Sequence, residues 1–444
     1  MALPSYHRLD HLQLAALGRE YLMAGHMIDR AGMPYLIGQF DREPMQAVAI
    51  AEWMGASPIY SRRMAALLGI EGDSVETVFK GMQFDIGAPP EFLDFRYEVI
   101  DDDHGEFWLA HCGALMDVEP MGEDFVVGMC HTIEDPTFLA TAAASNPRAR
   151  MVPVHRPPRI PADRHPHCRW QVLIDRDAEP LALPDEVAAL AGCNAANVPV
   201  SPVHPEATGP GPGMADDWRA WVDYRAPLDS DVRLEDFAGE TLSCIVQEAA
   251  LQGHLLVASF VTVVEQNHGR DAAWAALRTQ GVGTAGLVAE RLIAEFDLPS
   301  TIEGAAALFD LHPAFRPEGF ISWEVQVDVD SLVLTLGECP ALADGQPFNW
   351  MSLLAEGDDG ILVAIARALN DRVVVQPLRQ LASGSAADAS ADGSSADPSS
   401  EGVVRSWRVT FDGADPVPES DDVLLAKFST GATFTFHRTG YRSA

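Results

Sequence analysis

The pentapeptide FRYEV at residues 95–99 decides the predicted fold, since apolar and polar residues alternate along it as in a half-buried strand. A similar segment, ISWEV, returns at residues 321–325. A second strand-like segment, CRWQV at 168–172, returns as RSWRV at 405–409. Trp170 therefore has a partner in Trp407, and both indoles are expected to anchor the cores of equivalent strands.

Single residues between these segments follow the same offset. Gly281 lies opposite Gly55 and Glu324 opposite Glu98, in both cases 226 residues apart (281 − 55 and 324 − 98). A constant offset over many residues is typical of an internal repeat. We therefore predict an α+β fold of two tandem pseudo-repeats, each a helical layer packed on an antiparallel sheet. The alternative is two unrelated helix-plus-hairpin segments that share a layout.

Composition shifts divide the chain into three predicted parts. The first half, residues 1–175, is a first α+β lobe that carries Cys and His residues. Residues 176–235 are rich in Pro and Gly, which predicts a linker. The second half, residues 236–444, is a degenerate α+β lobe, and its Ser, Ala, Asp and Gly run at 383–402 predicts a disordered loop.

Helical periodicity predicts the same series of helices in both halves, before the strands begin. In the first half a β-hairpin is then predicted, with its turn at residues 102–105. Gly32 is expected to end the first helix, and Ser74 to cap the fourth by accepting from a free amide. The predicted ranges are 9–30, 44–54, 57–68 and 74–82 in the first half, and 241–266, 271–279, 284–296 and 301–309 in the second.

Charge and cysteine content exclude several classes of partner. The formal net charge is −35, which repels nucleic acids and anionic lipid surfaces. Six cysteines in 444 residues do not form a disulfide framework, so we predict a cytoplasmic protein. No signal peptide is visible, and the apolar stretch 242–264 is predicted to be a buried helix. An internal duplication can replace a homodimer, which favours a monomer.

Only the first half has Cys and His residues where a metal could bind. Cys112, Cys130, His167 and Cys168 lie at predicted strand ends or loop starts, so they are expected to converge. Thiolate and imidazole are the ligands that zinc and other transition metals prefer. The sequence therefore predicts zinc or another transition metal at these four residues. The second half keeps a cysteine at only one matching place, Cys339.

His131 and Glu134 are the candidate catalytic residues beside that metal. Glu134 follows His131 by three residues, which places both on one face of a helix, where Glu134 can act as a base. Two alternatives stay open for the cysteines: they pack in the core as small apolar residues, or one of them is a redox or nucleophilic thiol.

The region from Phe95 to Ile174 resembles the L-2-amino-thiazoline-4-carboxylic acid hydrolase family and, more distantly, 4-vinyl reductase domains. The resemblance rests on a strand ending in Cys112, the step from Cys130 to Glu134, a helix up to Asn146, and the strand that starts at Cys168. It implies an α+β ligand-binding module with a metal at the Cys positions.

These observations together predict a metal-assisted hydrolase that acts on a small organic molecule, with its site in the first half. The alternative is a non-catalytic small-molecule binding or sensor module in which a structural metal is held by the cysteines. The acidic charge favours a small-molecule substrate over a nucleic acid or a membrane in both cases.

Overall fold

The computed structural model describes residues 3–90, 92–204, 218–380 and 402–427. In the first half, three helices precede a β-hairpin, and further helices separate this hairpin from the last two strands. The elements are α1 His11–Phe40, α2 Arg42–Leu68, α3 Val75–Met82, β1 Leu93–Asp101, β2 His104–Cys112, α4 Gly113–Val118, α5 Glu123–Val127, a π-helical turn Gly128–Ile133, α6 Glu134–Ser145, β3 Ala149–His155 and β4 Cys168–Ile174.

Two short helices lie in the predicted linker, and the second half then repeats the order of the first. The linker helices are α7 Asp185–Ala191 and α8 Asn194–Asn197. The second half contains α9 Gly239–His268, α10 Arg270–Phe296, α11 Ile302–Leu311, β5 Trp323–Val327, β6 Leu332–Gly337, α12 Trp350–Glu356, α13 Gly360–Leu369, β7 Val374–Gln380, β8 Val403–Thr410 and α14 Asp421–Ala426.

Each half builds its own antiparallel sheet of four strands, in the orders β1-β2-β4-β3 and β5-β6-β8-β7. In the first sheet Trp170 lies between Phe107 and Pro153. In the second sheet Trp407 lies between Leu334 and Pro377. Both indoles are buried, as predicted, and both ladders shift register just after the proline.

Side-chain caps start several of the helices where the sequence predicts them. Asp10 accepts from the Gln13 amide, and Ser74 accepts from the Thr77 amide, so each satisfies a donor that the first turn leaves free. Thr301 caps α11 in the same way through the Gly304 amide. The predicted hairpin and the Ser74-capped helix are therefore confirmed.

The long helices are fewer and longer than predicted. The first does not end at Gly32, because that glycine lets α1 approach its neighbours: a Cβ there would lie 3.1 Å from Gln280 Nε2 and 3.3 Å from the Phe260 ring. The predicted pairs 44–54 with 57–68 and 271–279 with 284–296 are single helices, α2 and α10. Pro58 lies inside α2 without ending it.

The long helices of the two halves pack on each other and share one apolar core. Helix α1 packs against α9 and α10, and α2 packs against α9. Two bidentate ion pairs join them: Arg291 Nη2 binds Glu20 at 2.7 Å, and Arg63 Nη2 binds Glu248 at 2.6 Å. The long helices of both halves therefore form one shared helical layer, and each sheet packs on the outside of this layer.

Residues of the long helices match at an offset of 228. Helices α1 and α9 both have 30 residues and start at 11 and 239, whereas α2 and α10 both have 27 and start at 42 and 270. The matching positions below are defined by this offset. The packing is reciprocal: a Cβ at Gly55 would meet Ser259, and one at Gly283 would meet Ala31, its match.

The offset of 226 expected from the sequence is therefore not the structural one. Gly55 matches Gly283 in place of Gly281. In the sheets, Phe107 pairs with Tyr97 and Leu334 with Val325, so Val325 takes the place of Tyr97. A slip of two residues keeps every side chain on its face of the strand, so the alternating pattern cannot detect it.

The long apolar helix is buried, as predicted. Helix α9 is long and apolar enough to cross a membrane, but 94% of its most apolar stretch is buried inside the protein. Burial of this kind is typical of a core helix in a soluble protein.

Parts of the predicted linker pack against the helical layer. Val187 and Leu190 of α7 are buried, and so is Tyr224. Residues 205–217 of the linker and residues 383–401 of the predicted disordered loop lie outside the described part of the chain.

Candidate active site in the first half

A largely apolar cavity of about 290 Å³ lies between α1, α2, the first sheet and α6. Its apolar walls come from every one of these elements, and its polar groups include four acids. The apolar lining includes Met33, Met45, Ala49, Leu93, Phe95, Leu109, Phe125, Met129 and Phe138, and the acids are Asp29, Asp85, Asp117 and Glu134. Pockets of this character are the usual small-molecule sites of proteins.

Asp29 carries the first buried carboxyl group of the cavity wall. The indole Nε1 of Trp53 donates to its Oδ2 at 3.0 Å. Burial raises the pKa of Asp29 to about 7, against the lowering effect of this hydrogen bond. Behind them, Glu52 is fully buried, and burial and the nearby Asp29 raise its pKa well above the usual value. Asp29 therefore changes charge near neutral pH.

A second acid, Asp85, is held by two donors. The Tyr60 hydroxyl donates to Asp85 Oδ1 at 2.8 Å, and the Gly87 amide donates to the same oxygen at 2.7 Å. Burial raises the pKa of Asp85 to about 6, although both hydrogen bonds lower it. His26 is neutral here because burial lowers its pKa to about 4, and its Nε2 donates to the Gly87 carbonyl at 3.3 Å.

The two arginines of the cavity wall are already paired with acids. Arg30 Nη2 binds Asp117 Oδ1 at 2.7 Å, and Arg42 Nη2 contacts Asp124 Oδ2 at 3.4 Å. The guanidinium of Arg42 also lies over the Phe125 ring. Asp29, Asp85 and Glu134 thus form no ion pair with either arginine.

Glu134 lies at the sheet side of the cavity. Burial raises its pKa to about 8, whereas Arg156 lowers it. The Arg156 guanidinium is itself paired with Asp135. Within the described chain, no donor reaches the buried Oε2 of Glu134. This carboxyl group is the one predicted catalytic residue that lines the cavity.

Three of the predicted metal ligands, Cys112, Cys130 and Cys168, are buried close to Glu134. Cys112 lines the cavity and caps α4, with its Sγ accepting from the Leu115 amide at 3.2 Å. Burial, and then the Glu134 carboxyl, raise the pKa of Cys112 to about 12. The same two causes raise the pKa values of Cys130 and Cys168, so all three are thiols near neutral pH.

The two predicted histidines do not line the cavity. His131 Nε2 donates to the Pro157 carbonyl at 2.6 Å. His167 is buried among His111, His165 and Arg159, with its ring 5.7 Å from His111 and 5.1 Å from His165. The His167 amide donates to the Leu109 carbonyl at 2.8 Å, and Leu109 pairs with Cys168, the next residue in the chain. Because adjacent residues of an extended chain point to opposite sides, His167 is not in the thiol cluster.

The described residues contain no group of three or more His, Cys, Asp or Glu side chains that could hold a metal ion. The three thiols lie near Glu134, but His167 does not complete them as a fourth ligand. The described side chains therefore do not bring His167 together with the three thiols.

Sequence reasoning missed the acids on the helix side of the cavity. His26 and Asp29 lie on α1, and Glu52 and Trp53 on α2, where each helix turns a partly apolar face towards the core. A polar residue on the buried face of a helix is the signal that could have found them. The spacing of His26 and Asp29, three residues apart on one helix face, is a second such signal.

We compared the chain with protein-family models, curated proteins and solved structures, and none of them gave a match.

Proposed function

We propose that the first half binds a small, mainly apolar organic molecule in the cavity between α1, α2 and the first sheet. The observation that carries this proposal is the cavity itself, about 290 Å³ with apolar walls and a few buried acids. Acids with raised pKa values in a concave apolar site are a common property of functional sites.

A cavity-filling variant tests binding. Ala49 is buried in the cavity wall on α2, so Ala49→Phe places a ring in the space. Ala66→Phe is the matched control, because Ala66 is exposed on the same helix. We expect Ala49→Phe to remove the thermal stabilisation that small aromatic compounds give to the wild type, with Ala66→Phe unchanged. Equal binding by both variants would contradict the proposal.

Hydrolysis is the second candidate function, favoured by two acids that titrate near neutral pH. Asp29, with a pKa of about 7, ionises first and can accept a proton from an attacking water, whereas Glu134, with a pKa of about 8, keeps its proton and can donate it to a leaving group. A panel of small nitrophenyl esters and amides tests this. We expect Glu134→Gln to lower turnover about a hundredfold without weakening binding. No turnover by the wild type would favour the binding or sensor alternative.

Zinc or another transition metal at Cys112, Cys130, His167 and Cys168 stays a prediction, as does the resemblance to the hydrolase family. Metal analysis of purified protein, with Cys168→Ala as the variant, is the direct test. Cytoplasmic location, which follows from the cysteine content, and a small-molecule substrate, which follows from the acidic charge, also remain proposals. A monomeric state, which follows from the internal duplication, is a proposal as well.

We also infer that the two halves are tandem pseudo-repeats. Equal helix lengths, equal strand orders and the shared setting of Trp170 and Trp407 support this inference. The ion pairs support it as well, because Glu20 and Glu248 are matching positions, and so are Arg63 and Arg291. Unrelated segments with a common layout would not share reciprocal side-chain contacts.

A further inference from the structure

Several oxygens of the first-half acids lack a donor. Among the described residues, Asp29 Oδ1, both carboxyl oxygens of Glu52 and Glu134 Oε2 are buried without a hydrogen-bond partner. A buried acceptor without a donor destabilises the fold, so proteins rarely keep one without a reason. Asp29 and Glu134 line the cavity, where a bound molecule could supply the missing donor.

The fold itself does not require these acids. In the second half, the matches of Asp29, Glu52 and Trp53 are Val257, Gln280 and Gly281. Val257 and Gln280 are fully buried at the equivalent places of α9 and α10. The same helix pair therefore packs without a carboxyl group at either position, so the acids of the first half serve something other than packing.

The missing donor is best supplied by a cation. The cavity arginines are engaged by Asp117 and Asp124, which leaves the carboxyl group of Asp29 to a positive charge from outside the chain. The Trp53 indole donates to Asp29 and lines the cavity beside it. An aromatic ring next to a carboxylate is a favourable setting for an ammonium group, through cation–π attraction and a charge-assisted hydrogen bond.

We propose that the ligand of this cavity is an apolar molecule with a protonated amine, and that Asp29 accepts a hydrogen bond from the ammonium group. The proposal rests on the binding function proposed above and names its ligand class. Glu52 is buried near Asp29 but does not line the cavity, so it does not touch the ligand. The apolar body of the ligand occupies the space near Phe95, Leu109 and Phe138.

Three probes of one shape test the proposal: 2-phenylethylammonium, neutral 2-phenylethanol and anionic phenylacetate. Titration calorimetry at about pH 8 compares the wild type with Asp29→Asn, and with Asp344→Asn as a control at an exposed acid. We expect the ammonium probe to bind about tenfold more tightly than the alcohol, and phenylacetate to bind weakest. Asp29→Asn should remove this preference, and Asp344→Asn should keep it.

Failure of this inference is distinguishable from failure of the proposed function. If the alcohol binds as tightly as the ammonium probe and Ala49→Phe abolishes both, the cavity binds small molecules but the amine inference is overturned. If none of the probes binds the wild type, or if Asp29→Asn keeps the preference for the ammonium, the inference is overturned as well. Probe binding that Ala49→Phe leaves intact would overturn the binding function itself.

Discussion

His26 and His254 occupy matching positions in the two halves, yet one faces an open cavity and the other a packed core. His26 lines the cavity and lies 5.0 Å from the Phe92 ring. His254 lies 5.2 Å from the Phe320 ring and 6.1 Å from the indole of Trp350. The void beside His254 measures only about 10 Å³. A shared helical frame thus supports a hollow half and a filled half.

One difference between matching positions accounts for much of this contrast. Trp53 lines the cavity of the first half, whereas its match in the second half is Gly281. A Cβ at Gly281 would lie 2.8 Å from Cδ1 of Trp350, so the glycine makes room for that indole. In the second half, Trp350 of α12 therefore fills the region that stays open in the first half.

The largest expected effect concerns the two reciprocal ion pairs. Arg63 binds Glu248 and also donates to the carbonyls of Ala196 and Val198, whereas Arg291 binds Glu20. Because removing one partner leaves a buried charge, Arg63→Met should lower the free energy of unfolding by about 5 kcal/mol. Arg291→Met removes the matching pair with Glu20, so it should also cost about 3 kcal/mol or more. Denaturant unfolding measures both, and a loss below about 1 kcal/mol for either variant would contradict the structural role of these pairs.

The next effect separates the filled half from the hollow half. Trp350 is 4% exposed in a packed core, so Trp350→Ala should lower the free energy of unfolding by about 4 kcal/mol. Trp53 borders space that is already open, so Trp53→Ala should cost about half as much. Urea unfolding of the two variants gives the comparison, and a larger loss for Trp53→Ala would show that its wall is tightly packed.

A smaller effect depends on pH and belongs to the first half alone. Burial raises the pKa of Asp29 from 3.8 to about 7, so the folded protein holds this proton more tightly than the unfolded chain. Its contribution to stability is therefore full at about pH 4 and declines as the pH rises towards about 7. Asp29→Asn should match the wild type at about pH 4 and be more stable at about pH 8, on the order of 2 kcal/mol.

Thermal or urea unfolding at both pH values checks this prediction. Val257→Asn is the matched variant in the second half, and it should destabilise at both pH values because it buries an unpaired amide in a packed site. A pH-independent difference between Asp29→Asn and the wild type would contradict the raised pKa of Asp29.

The smallest effect is on cysteine reactivity. Cys112, Cys130 and Cys168 are buried and their pKa values are raised, so they should react with iodoacetamide at least about tenfold more slowly than the partly exposed Cys339. Peptide mass spectrometry of the folded protein measures each rate. A chelator should leave the rates unchanged if the thiols are free, and faster reaction after chelation would support the predicted metal.

The sequence predicted the elements well, because capping residues and periodicity act locally. Ser74, the hairpin near residue 103 and the buried Trp170 and Trp407 are examples that the structure confirms. Long-range packing decided the rest: Gly32 looked like a helix end but lets α1 approach Phe260. The exact correspondence of the strands also escaped the pattern, since a slip of two residues leaves the alternation unchanged.

The candidate site was predicted only on its sheet side. Cys112 and Glu134 line the cavity, and Cys130 and Cys168 lie close to them, but His167 belongs to a different polar group. Asp29 could not be assigned to the same site, because it lies far from Glu134 along the chain and only the packing of the helices brings both residues to one cavity. The residue types of the first half indicated which side chains could take part in catalysis or binding. Only the three-dimensional structure shows which of them line the same cavity.

The reciprocal ion pairs between α1 and α10 and between α2 and α9 hold the open half and the packed half together. Both residues of each pair belong to the same polypeptide, so every hollow half is linked to one filled half. Identical subunits could not keep such an asymmetry, since every change would appear on both sides. A single chain can therefore keep one half open while the packed half supports it.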